Sequence, residues 1–487
     1  MPRGAGKSGR SARTCGGSRR YSGEHTSRSE SEFRRTVATI RTSRRDAMRL
    51  ALGALAGASL LTDPLEVGVP TAVAAPMVTF YVANTGDDNA DGLTPDTAWR
   101  SIKRMNFSTP DYARVLFRRG DTFYGELAPP LGCELGAYGQ GPRPVLTMFK
   151  LLNQPSSWTL HSPKVWRIEI AAPETHEGYT ASTDANIGYL MVDGVVKATL
   201  KFNLDELFQD WDFYCDIENG VLYVRSEMNP SDRTEDLRAA PNGNAFGGTG
   251  RVIYCEKGFN NIHDLHITGS GGCGIGGTGS GVWIHDCLID YIGGAELLDG
   301  SQRRYGNGIE HWVNVSGWLI ERNEICQVYD AAWSPQGYAG AHGGWRDLTV
   351  RNNFIHECTQ SFEFWSTGEP TAPGYERVLV QGNYCENGGY SSFADARPDQ
   401  DVRVHLLTYK LRTPVDITIE RNVFVNAFSA YSYHSEAPPT SMVTRENVIC
   451  LRRGQRLEVQ SQRAIESAME WQAETGRESG STMKVAV

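Results

Sequence analysis

One short pattern recurs five times in the C-terminal half of the chain: an aliphatic residue or Thr, two residues, Asn, one residue, and an apolar residue. The asparagines are Asn323, Asn353, Asn383, Asn422 and Asn447, at spacings of 30, 30, 39 and 25 residues. Self-similarity at this period is typical of a solenoid, and the alternation of apolar residues around each Asn indicates a strand. Because no helical pattern separates the strands, the repeat predicts an all-β fold of the parallel β-helix type.

The repeated asparagines occupy the same place in every repeat, which argues for a structural role. Stacked Asn side chains can hydrogen-bond one another and the backbone at a tight bend. We therefore expect the catalytic groups elsewhere, on the strand that follows each bend.

The first 74 residues differ in kind from the rest, with 13 Lys+Arg against 6 Asp+Glu. Ser43-Arg44-Arg45-Asp46 precedes the apolar run Leu50–Leu61, and Ala72-Val73-Ala74 follows it. This order predicts a twin-arginine export signal with an A-x-A cleavage site, and hence a secreted or periplasmic protein. The apolar run has 12 residues, too few for a membrane-spanning helix, so we predict no membrane span.

Charge and cysteine content exclude several classes of function. Without the signal the chain has a net charge near −16, which disfavours nucleic acid as a partner. Nine cysteines remain, an odd number, and none forms a C-x-x-C motif. The sequence therefore predicts no zinc or redox site, and we interpret the cysteines as small buried core residues.

The region after the signal begins with an apparent strand and an Asp-rich turn. It contains Tyr81-Val82, Asp91-Gly92-Leu93-Thr94-Pro95, Ala98-Trp99, Arg119-Gly120-Asp121-Thr122-Phe123 and Gly136-Ala137-Tyr138-Gly139. These pieces resemble the start of many secreted right-handed β-helix enzymes of the pectate-lyase-like superfamily. The resemblance implies a right-handed, single-stranded parallel β-helix with repeats of the PbH1 type, acting on carbohydrate, and does not specify the substrate.

Breaks in the repeat divide the chain into five predicted segments. They are 1–74, a disordered N-terminus and signal; 75–165, an N-terminal cap and first coils; 166–241, an inserted β-rich subdomain; 242–455, the main repeats with a groove; and 456–487, a C-terminal helical cap. A cap is expected because an open solenoid end exposes unpaired strand edges. Long loops at Gly293–Gly306 and Arg397–Asp416 are expected to wall the groove on one face.

Two motifs have simple structural interpretations. Gly272-Cys-Gly-Ile-Gly-Gly277 matches G-x-G-x-x-G, but a strand pattern follows it where a dinucleotide site needs a helix. Asp87-x-Asn89-x-Asp91-Gly92 begins like a calcium loop, but Ala98 stands where the bidentate Glu would be. We expect an Asx-rich turn there and no required cofactor, with calcium left as an open alternative.

Carboxylates recur on the strand predicted after each Asn bend. Alignment on the asparagines brings five segments into rough register: Gly308–Trp312, Tyr329–Trp333, Ser361–Trp365, Ser392–Arg397 and Ala430–Glu436. Strands one or two coils apart place outward carboxylates ~5 Å or ~9–10 Å apart, distances that suit retaining or inverting glycosidases respectively. A single acid more often just faces solvent, but the stack beside long loops indicates a site. The catalytic candidates are Asp330, Glu310, Glu363 and Asp395.

Aromatic and basic residues near these acids are candidates for substrate binding, since flat rings stack on sugars. Trp312, Trp333 and Trp365 are predicted to occupy related positions. The other candidates are His311, His342, Arg304, Arg397, Tyr433 and His434. Arg304–Glu310 and Val328–Asp330 also resemble recurring elements of secreted β-helix carbohydrate enzymes, which places Glu310 and Asp330 first among the acids.

Three functions stay open from the sequence. The first is a glycoside hydrolase with paired carboxylates, acting as a monomer on a polysaccharide or oligosaccharide. The second is a polysaccharide lyase using Lys410, Arg412 or Tyr409, with His342 as a further choice, although the R-x-P-x-x-R pattern of pectate lyases is absent. The third is a non-catalytic glycan-binding β-helix. The abundance of acids favours the hydrolase.

Overall fold

The computed structural model describes residues 77–171, 184–243, 250–312, 314–339, 343–397, 402–434, 438–452, 454–459, 463–465 and 467–486. The predicted export signal lies outside these residues. The described chain is all-β with long parallel sheets, as predicted. Among the described residues, none of the helices has the length and apolar character needed to cross a membrane.

Three long sheets carry the architecture. Sheet 1 contains Thr79–Val82, Arg114–Arg118, Glu134–Tyr138, Asn261–His263, Trp283–His285, Leu319–Glu321, Thr349–Arg351, Val378–Gln381, Ile417–Glu420 and Met442–Arg445. Sheet 2 contains Thr122–Tyr124, Val145–Thr147, His266–Ser270, Leu288–Ile292, Glu324–Val328, Phe354–His356, Tyr384–Gly388, Val423–Ala427, Val448–Arg452 and Thr482–Ala486. Sheet 3 contains Arg251–Tyr254, Cys273–Gly276, Ile309–His311, Ala331–Ala339, Gln360–Gly368, Val404–Leu411, Ser429–Tyr433, Arg456–Val459 and Arg463–Ile465.

The chain passes through the three sheets in turn. After Leu319–Glu321 in sheet 1 come Glu324–Val328 in sheet 2 and Ala331–Ala339 in sheet 3, and Thr349–Arg351 then returns to sheet 1. One such passage is called a coil below. Each strand pairs in parallel with its counterpart in the next coil, except that the last strand of sheet 3 is antiparallel. This is the strand order that a parallel β-helix requires.

The interior is built from stacked apolar side chains. In sheet 1, Ile284, Ile320, Val350, Val380 and Ile419 are paired from one coil to the next, and all are buried. Alternation along each short strand sends the neighbouring side chains outward. The register of the sheets therefore decides which polar residues share an outer face.

The asparagine ladder forms at the bend between sheets 1 and 2. The side-chain oxygen of Asn353 accepts hydrogen bonds from the backbone and side-chain nitrogens of Asn323, at 3.0 and 3.1 Å. The same two bonds repeat from each Asn to the next, as far as Asn447. The residue before each Asn has a positive φ, as in Arg322 at 56°, which makes the turn sharp. The predicted structural role is confirmed.

A β-rich subdomain with its own hydrophobic core lies between the early coils and the main repeats. One of its sheets contains Lys150–Leu151, Ile187–Val192, Val195–Lys197 and Leu237–Pro241, and the other contains Thr159–Ser162, Val165–Glu169, Leu200–Lys201, Phe213–Asp216 and Val221–Arg225. Its first strand begins at Lys150, earlier than the boundary at residue 166 that the sequence suggested. Sheet 1 continues across the insertion, because Glu134–Tyr138 pairs with Asn261–His263.

The remaining elements are short. The α-helices are Ile102–Ser108 and Ala468–Thr475, and the 3-10 helices are Pro95–Thr97, Pro155–Ser157, Leu204–Glu206, Pro230–Asp232 and Ala394–Ala396. A small parallel sheet joins Val315–Ser316, Trp345–Arg346 and Tyr375–Glu376, and a hairpin joins Ala295–Leu297 to Arg303–Tyr305. In the helix Ala468–Thr475, Trp471 is fully buried.

Candidate active site

The register of sheet 3 places polar side chains in one outward row. Gly276 pairs with Glu310, and Glu310 pairs with Ser334. Trp333 and Gln336 pair with Phe362 and Trp365, so Ser334 stands opposite Glu363. Glu310 and Glu363 thus lie two strands apart with a small hydroxyl between them, at a backbone spacing of ~9–10 Å.

Glu363 is a buried carboxyl in a polar pocket. Its side chain is 4% exposed. Its Oε2 accepts a hydrogen bond from Ser334 Oγ at 3.0 Å, and the Tyr409 hydroxyl donates to the same carboxyl. Burial and the nearby Asp330 carboxylate raise the pKa of Glu363 to about 8. Glu363 therefore holds a proton at neutral pH and can donate it.

Asp330 supplies the negative charge beside that acid. It ends the turn from sheet 2 to sheet 3, directly before the strand Ala331–Ala339. Its Oδ1 lies 2.6 Å from Nη1 of Arg397, and both side chains are largely buried. The guanidinium favours the ionised form of the Asp330 carboxyl. A protonated and an ionised carboxyl thus occur side by side.

Glu310 is held in place by several donors. Its Oε2 lies 2.8 Å from Nη2 of Arg251 and accepts a longer contact from Cys273 Sγ at 3.4 Å. Asn307 and Gln336 donate to Oε1, each at 3.4 Å. Burial lowers the pKa of Arg251 and the Glu310 carboxylate raises it. The net result is a pKa above the ordinary value for Arg. Arg251 and Glu310 thus form a buried salt bridge.

The glycine that pairs with Glu310 makes this ion pair possible. A Cβ on Gly276 would lie 2.5 Å from Arg251 Nε and 2.8 Å from the Glu310 carbonyl oxygen. Any side chain there would block the path that Arg251 takes across the strand Cys273–Gly276. The G-x-G-x-x-G motif thus gives close packing within sheet 3, and its last four residues before Gly277 form a strand with no helix after them.

An aromatic row runs beside the carboxyls on the same outer face. The ring centroids of Trp312 and Trp365 are 5.8 Å apart, and those of Trp365 and Tyr409 are 5.9 Å apart in a stacked arrangement. His434 continues the row, with its ring edge-on to Tyr409 at 6.5 Å. Trp312 is 47% exposed, so its ring offers a flat apolar surface at the mouth of the site.

These groups surround one cavity of about 780 Å³, large enough for several sugar rings. Sheet 3 forms its floor, and the hairpin Ala295–Leu297 with Arg303–Tyr305 forms one wall. The lining residues are Arg251, Tyr254, Gly277, Thr278, Leu297, Asp299, Arg303, Arg304, Tyr305, Glu310, Trp312, Tyr329, Asp330, Gln336, Glu363, Trp365, Arg397, Tyr409 and Lys410. The site candidates Glu310, Asp330, Glu363, Trp312, Trp365, Arg304, Arg397, Tyr409 and Lys410 therefore meet in one place.

The subdomain supports the hairpin wall. The guanidinium of Arg304 donates to the carbonyls of Gly188 and Ala198 at 2.7 and 2.9 Å, and to that of Gly294 at 2.6 Å. Arg304 also lies 4.8 Å from the centre of the Tyr329 ring, and Arg397 lies 5.2 Å from it. Arg304 thus joins the subdomain to the turn that carries Asp330. Arg304 also lines the cavity, so its predicted part in substrate binding stays a prediction.

Three predicted binding residues point into the core, which corrects the expectation from sequence. Trp333 and His311 are fully buried, because Trp333 pairs with the interior residues Ile309 and Phe362. Burial lowers the pKa of His311 to about 3. Tyr433 is buried against Trp471. The alignment by asparagine spacing was wrong by a few residues here, since Gln336 takes the outward position expected for Trp333.

The catalytic candidate Asp395 also lies elsewhere. Ser392–Arg397 forms a turn and the 3-10 helix Ala394–Ala396, and the strand in register is Val404–Leu411. The Asp395 side chain is 95% exposed and 3.8 Å from Arg403, outside the cavity. The predicted insertion Arg397–Asp416 is thus partly a regular strand of sheet 3, which carries Tyr409 and Lys410.

The other candidates lie at or beyond the edges. Arg412 is not among the residues that line the cavity, and its backbone N–H donates to the Ser366 carbonyl. His434 touches the site only through Tyr409. His342 lies outside the described residues.

Several residues of the site were missed by the sequence analysis. Arg251 and Tyr254 carry no local motif, and they reach the cavity only through the stacking of coils. Tyr305 lies within the element Arg304–Glu310 but was not chosen as a site residue. Tyr329 could have been found, since it precedes Asp330 and contacts two guanidiniums. Gln336 lies two residues beyond Ser334, where alternation places it on the outer face.

The Asp-rich turn near the N-terminus uses its carboxylates internally. Asp87 accepts from the Asn89 backbone, and Asp91 accepts from Leu93 and from the Thr97 hydroxyl. Asp88 accepts from the backbone and hydroxyl of Ser101. Within the described part of the chain, no group of three or more His, Cys, Asp or Glu side chains is placed to hold a metal ion.

Comparison with known proteins gives only distant likenesses. No family model and no curated protein matches the chain. Among solved structures, the complex of XylC with xylose has a TM-score of 0.47 and 12% identity, covering 78% of this chain and 69% of that one. A GH136 lacto-N-biosidase from Eubacterium ramulus has a TM-score of 0.30 and 10% identity, covering 84% of this chain and 68% of that one. Another solved structure, a glycoside hydrolase, has a TM-score of 0.34 and 8% identity, covering 83% of this chain and 96% of that one. Because these TM-scores lie below 0.5, they carry no argument about activity.

Proposed function

We propose that this protein is a glycoside hydrolase that cleaves a polysaccharide or oligosaccharide in the cavity on sheet 3. The observation that carries the proposal is that the buried Glu363 carboxyl, whose pKa is raised, and the Asp330–Arg397 salt bridge line the same cavity. Hydrolysis of a glycosidic bond needs one carboxyl in each state. The aromatic row of Trp312, Trp365 and Tyr409 supplies the stacking surface for sugar rings.

Glu363 acts as the general acid in this proposal. Its proton passes to the glycosidic oxygen as the bond to the anomeric carbon breaks, and the leaving sugar departs as an alcohol. The Asp330 carboxylate stabilises the positive charge that develops at the anomeric carbon, either by attacking it or by activating a water molecule. If Asp330 attacks, water then hydrolyses the glycosyl ester and gives its proton to Glu363. If Asp330 activates water, Asp330 takes the proton of that water, and Glu363 regains its proton from the solvent.

Glu310 has a different role, because its two oxygens already accept from the donors described above. Its ion pair with Arg251 fixes it two strands from Glu363, on the other side of Ser334. We propose that it binds sugar hydroxyls of the substrate and keeps the ring aligned between Glu363 and the aromatic row.

The lyase alternative fits the site less well. A lyase needs a base that removes a proton from the carbon beside a uronate carboxyl. Burial and the Glu363 and Asp330 carboxyls raise the pKa of Tyr409 above its ordinary value, which makes its phenolate a poor candidate. Lys410 stands at the edge of the cavity, beyond the aromatic row, and Arg412 is outside the lining.

The wider setting follows from the sequence and the sheet order together. We propose that the coils form a right-handed parallel β-helix, that the chain is exported by the twin-arginine pathway, and that it acts as a monomer. In this proposal the chemistry needs only the two carboxyls and water, so no cofactor is required for the cleavage step. A calcium ion at the Asp-rich turn stays an open alternative.

The activity is tested by incubating the protein with neutral and uronate polysaccharides and following both reducing ends and ultraviolet absorbance. We expect reducing ends without absorbance. The anomer released first, followed by NMR, tells whether Asp330 attacks the sugar or activates water. We expect Glu363→Gln and Asp330→Asn to lower the rate by about 10²- to 10⁴-fold each.

Asp395→Asn is the matched control, since this carboxylate is exposed and outside the cavity; it should keep the full rate. Growth of absorbance with the reducing ends would replace the hydrolase by a lyase. Full activity in Asp330→Asn would remove that residue from the mechanism. Binding to a glycan without any cleavage would favour a non-catalytic β-helix.

A further inference from the structure

Lys410 differs from the other cations of the cavity in its ion pairing within the described part of the chain. Arg251 and Arg397 pair with Glu310 and Asp330, while Arg303 pairs with Asp299. Arg304 donates to backbone carbonyls, as described above. Among the described residues, no carboxylate forms an ion pair with the Lys410 ammonium, although the side chain lines the cavity.

The backbone at Lys410 is distorted in a way that directs this side chain. Trp365 pairs with Tyr409, but Ser366 pairs with Leu411, so Lys410 is the extra residue of a β-bulge. Its φ is +49°, a left-handed conformation that a residue with a side chain adopts at a cost. Bulges beside active sites re-aim a side chain. The bulge keeps Lys410 on the rim of the cavity next to Tyr409.

The cavity is also cationic in an acidic protein. Five cationic side chains and four carboxyls line it, whereas the whole chain has 48 Lys+Arg against 57 Asp+Glu. One of the four carboxyls, Glu363, is neutral at pH 7 because its pKa is raised to about 8. The positive excess is concentrated at Lys410, since the arginines are already engaged.

We propose that Lys410 selects substrates that carry a negatively charged substituent, a carboxylate or a sulfate ester, on the sugar next to the one that stacks on Trp365 and Tyr409. The ammonium forms a charge-assisted hydrogen bond with that substituent. This inference rests on the proposed function, because it assigns a substrate class to the same cavity.

The test uses pairs of glycans that differ only in the charged group. One pair is a uronate-containing polysaccharide and the same material after reduction of its carboxyls to alcohols, and the other is a sulfated polysaccharide and its desulfated form. Cleavage is followed with the wild type, and binding with Glu363→Gln. We expect a preference for the charged member of one pair, which identifies the substituent as carboxylate or sulfate.

Lys410→Gln should reduce that preference by about ten- to a hundredfold, as expected for loss of a hydrogen bond to a charged group. Lys410→Arg should restore most of it. Arg303→Gln is the matched control, since it removes a cavity cation that Asp299 already pairs; it should keep the preference. Raising the ionic strength should weaken the preference in the wild type and leave Lys410→Gln unaffected.

The outcomes separate this inference from the proposed function. A preference in binding that Lys410→Gln abolishes, without cleavage of any glycan, would support Lys410 and overturn the hydrolase. Cleavage in which the neutral glycans are used as well as or better than the charged ones would support the hydrolase and overturn the role of Lys410. An unchanged preference in Lys410→Gln, or the absence of any binding to the charged glycans, would overturn the role of Lys410.

Discussion

At the scale of single residues, the site depends on one carboxyl that is kept neutral and one that is kept charged. Glu363 lies in a buried position next to Asp330, and both burial and that charge disfavour its ionisation. Arg397 neutralises Asp330 and is itself placed against the ring of Tyr329. The two acids differ in state because their surroundings differ, which the residue types alone do not show.

The raised pKa of Glu363 predicts how activity and stability depend on pH. The ordinary pKa of a Glu is 4.5, and in the folded chain that of Glu363 is about 8. Activity should therefore fall as the pH rises through about 8. Between these values the folded state holds one more proton than the unfolded chain, so the free energy of unfolding falls as the pH rises.

The side chain introduced by Glu363→Gln cannot ionise, so the variant does not lose stability in this way as the pH rises. We expect the variant to be more stable than the wild type by about 4 kcal/mol at pH 8, with little difference at pH 4. Denaturant unfolding at both pH values measures this. Asp395→Asn, at an exposed carboxyl, should show no such pH-dependent gain. Equal stability of Glu363→Gln and wild type at both pH values would show that the carboxyl ionises normally.

At the scale of the elements, the bend between sheets 1 and 2 sets the register of the coils. Each ladder Asn bonds to the next coil and also to the coil before it; for instance Asn383 Nδ2 donates to the Val350 carbonyl at 2.9 Å. Because each bend is fixed in this way, the strands that follow keep their alignment as far as sheet 3. A slip by one residue would turn Glu363 into the interior.

Asn383→Ala should destabilise the coils on both sides of the substitution. It removes the acceptor of the Asn353 backbone N–H, one of the two acceptors of Asn353 Nδ2, and the side-chain donor to the Val350 carbonyl. We expect a loss of about 2–4 kcal/mol in the free energy of unfolding. Asn219→Ala, at an exposed turn, should stay within about 0.5 kcal/mol of the wild type. If Asn383→Ala also changed the free energy of unfolding by no more than about 0.5 kcal/mol, the ladder would contribute little to stability.

At the scale of the whole molecule, the C-terminal segment packs against the last strands of the repeats. Trp471 packs on Tyr431 and Tyr433, with ring centroids 6.0 and 5.1 Å apart. The ladder ends there too, since Asn447 bonds to Glu478 and Ser481. We expect this segment to act as a cap, since open strand edges tend to pair with another chain.

Trp471→Ala should therefore cost about 3–5 kcal/mol of stability and promote association through the exposed end. Thermal unfolding and light scattering measure the two effects. Met469→Ala is the control in the same helix, because Met469 is 79% exposed. It should change neither the stability nor the association of the protein. A monomeric, fully stable Trp471→Ala would show that the helix does not act as a cap.

Sequence and structure agree best where the information is local and repeated. The asparagine spacing and the period-two alternation determine an all-β chain of parallel strands with a hydrogen-bonded ladder, because each repeat contains both the bend and the apolar positions that face inward. The same alternation indicated Glu310 and Glu363 as outward acids. Those features depend on residues only a few positions apart.

The tertiary structure decided which outward residues meet. Coils differ in length, so counting from the asparagines misplaced Trp333 and Asp395, and only strand pairing put Gln336 in the site and Tyr409 beside Glu363. Burial among the neighbouring coils and the nearby Asp330 raise the pKa of Glu363, and a bulge placed Lys410 at the rim. The sequence by itself determined the repeating scaffold, whereas the site depended on distances between coils that no local pattern contains.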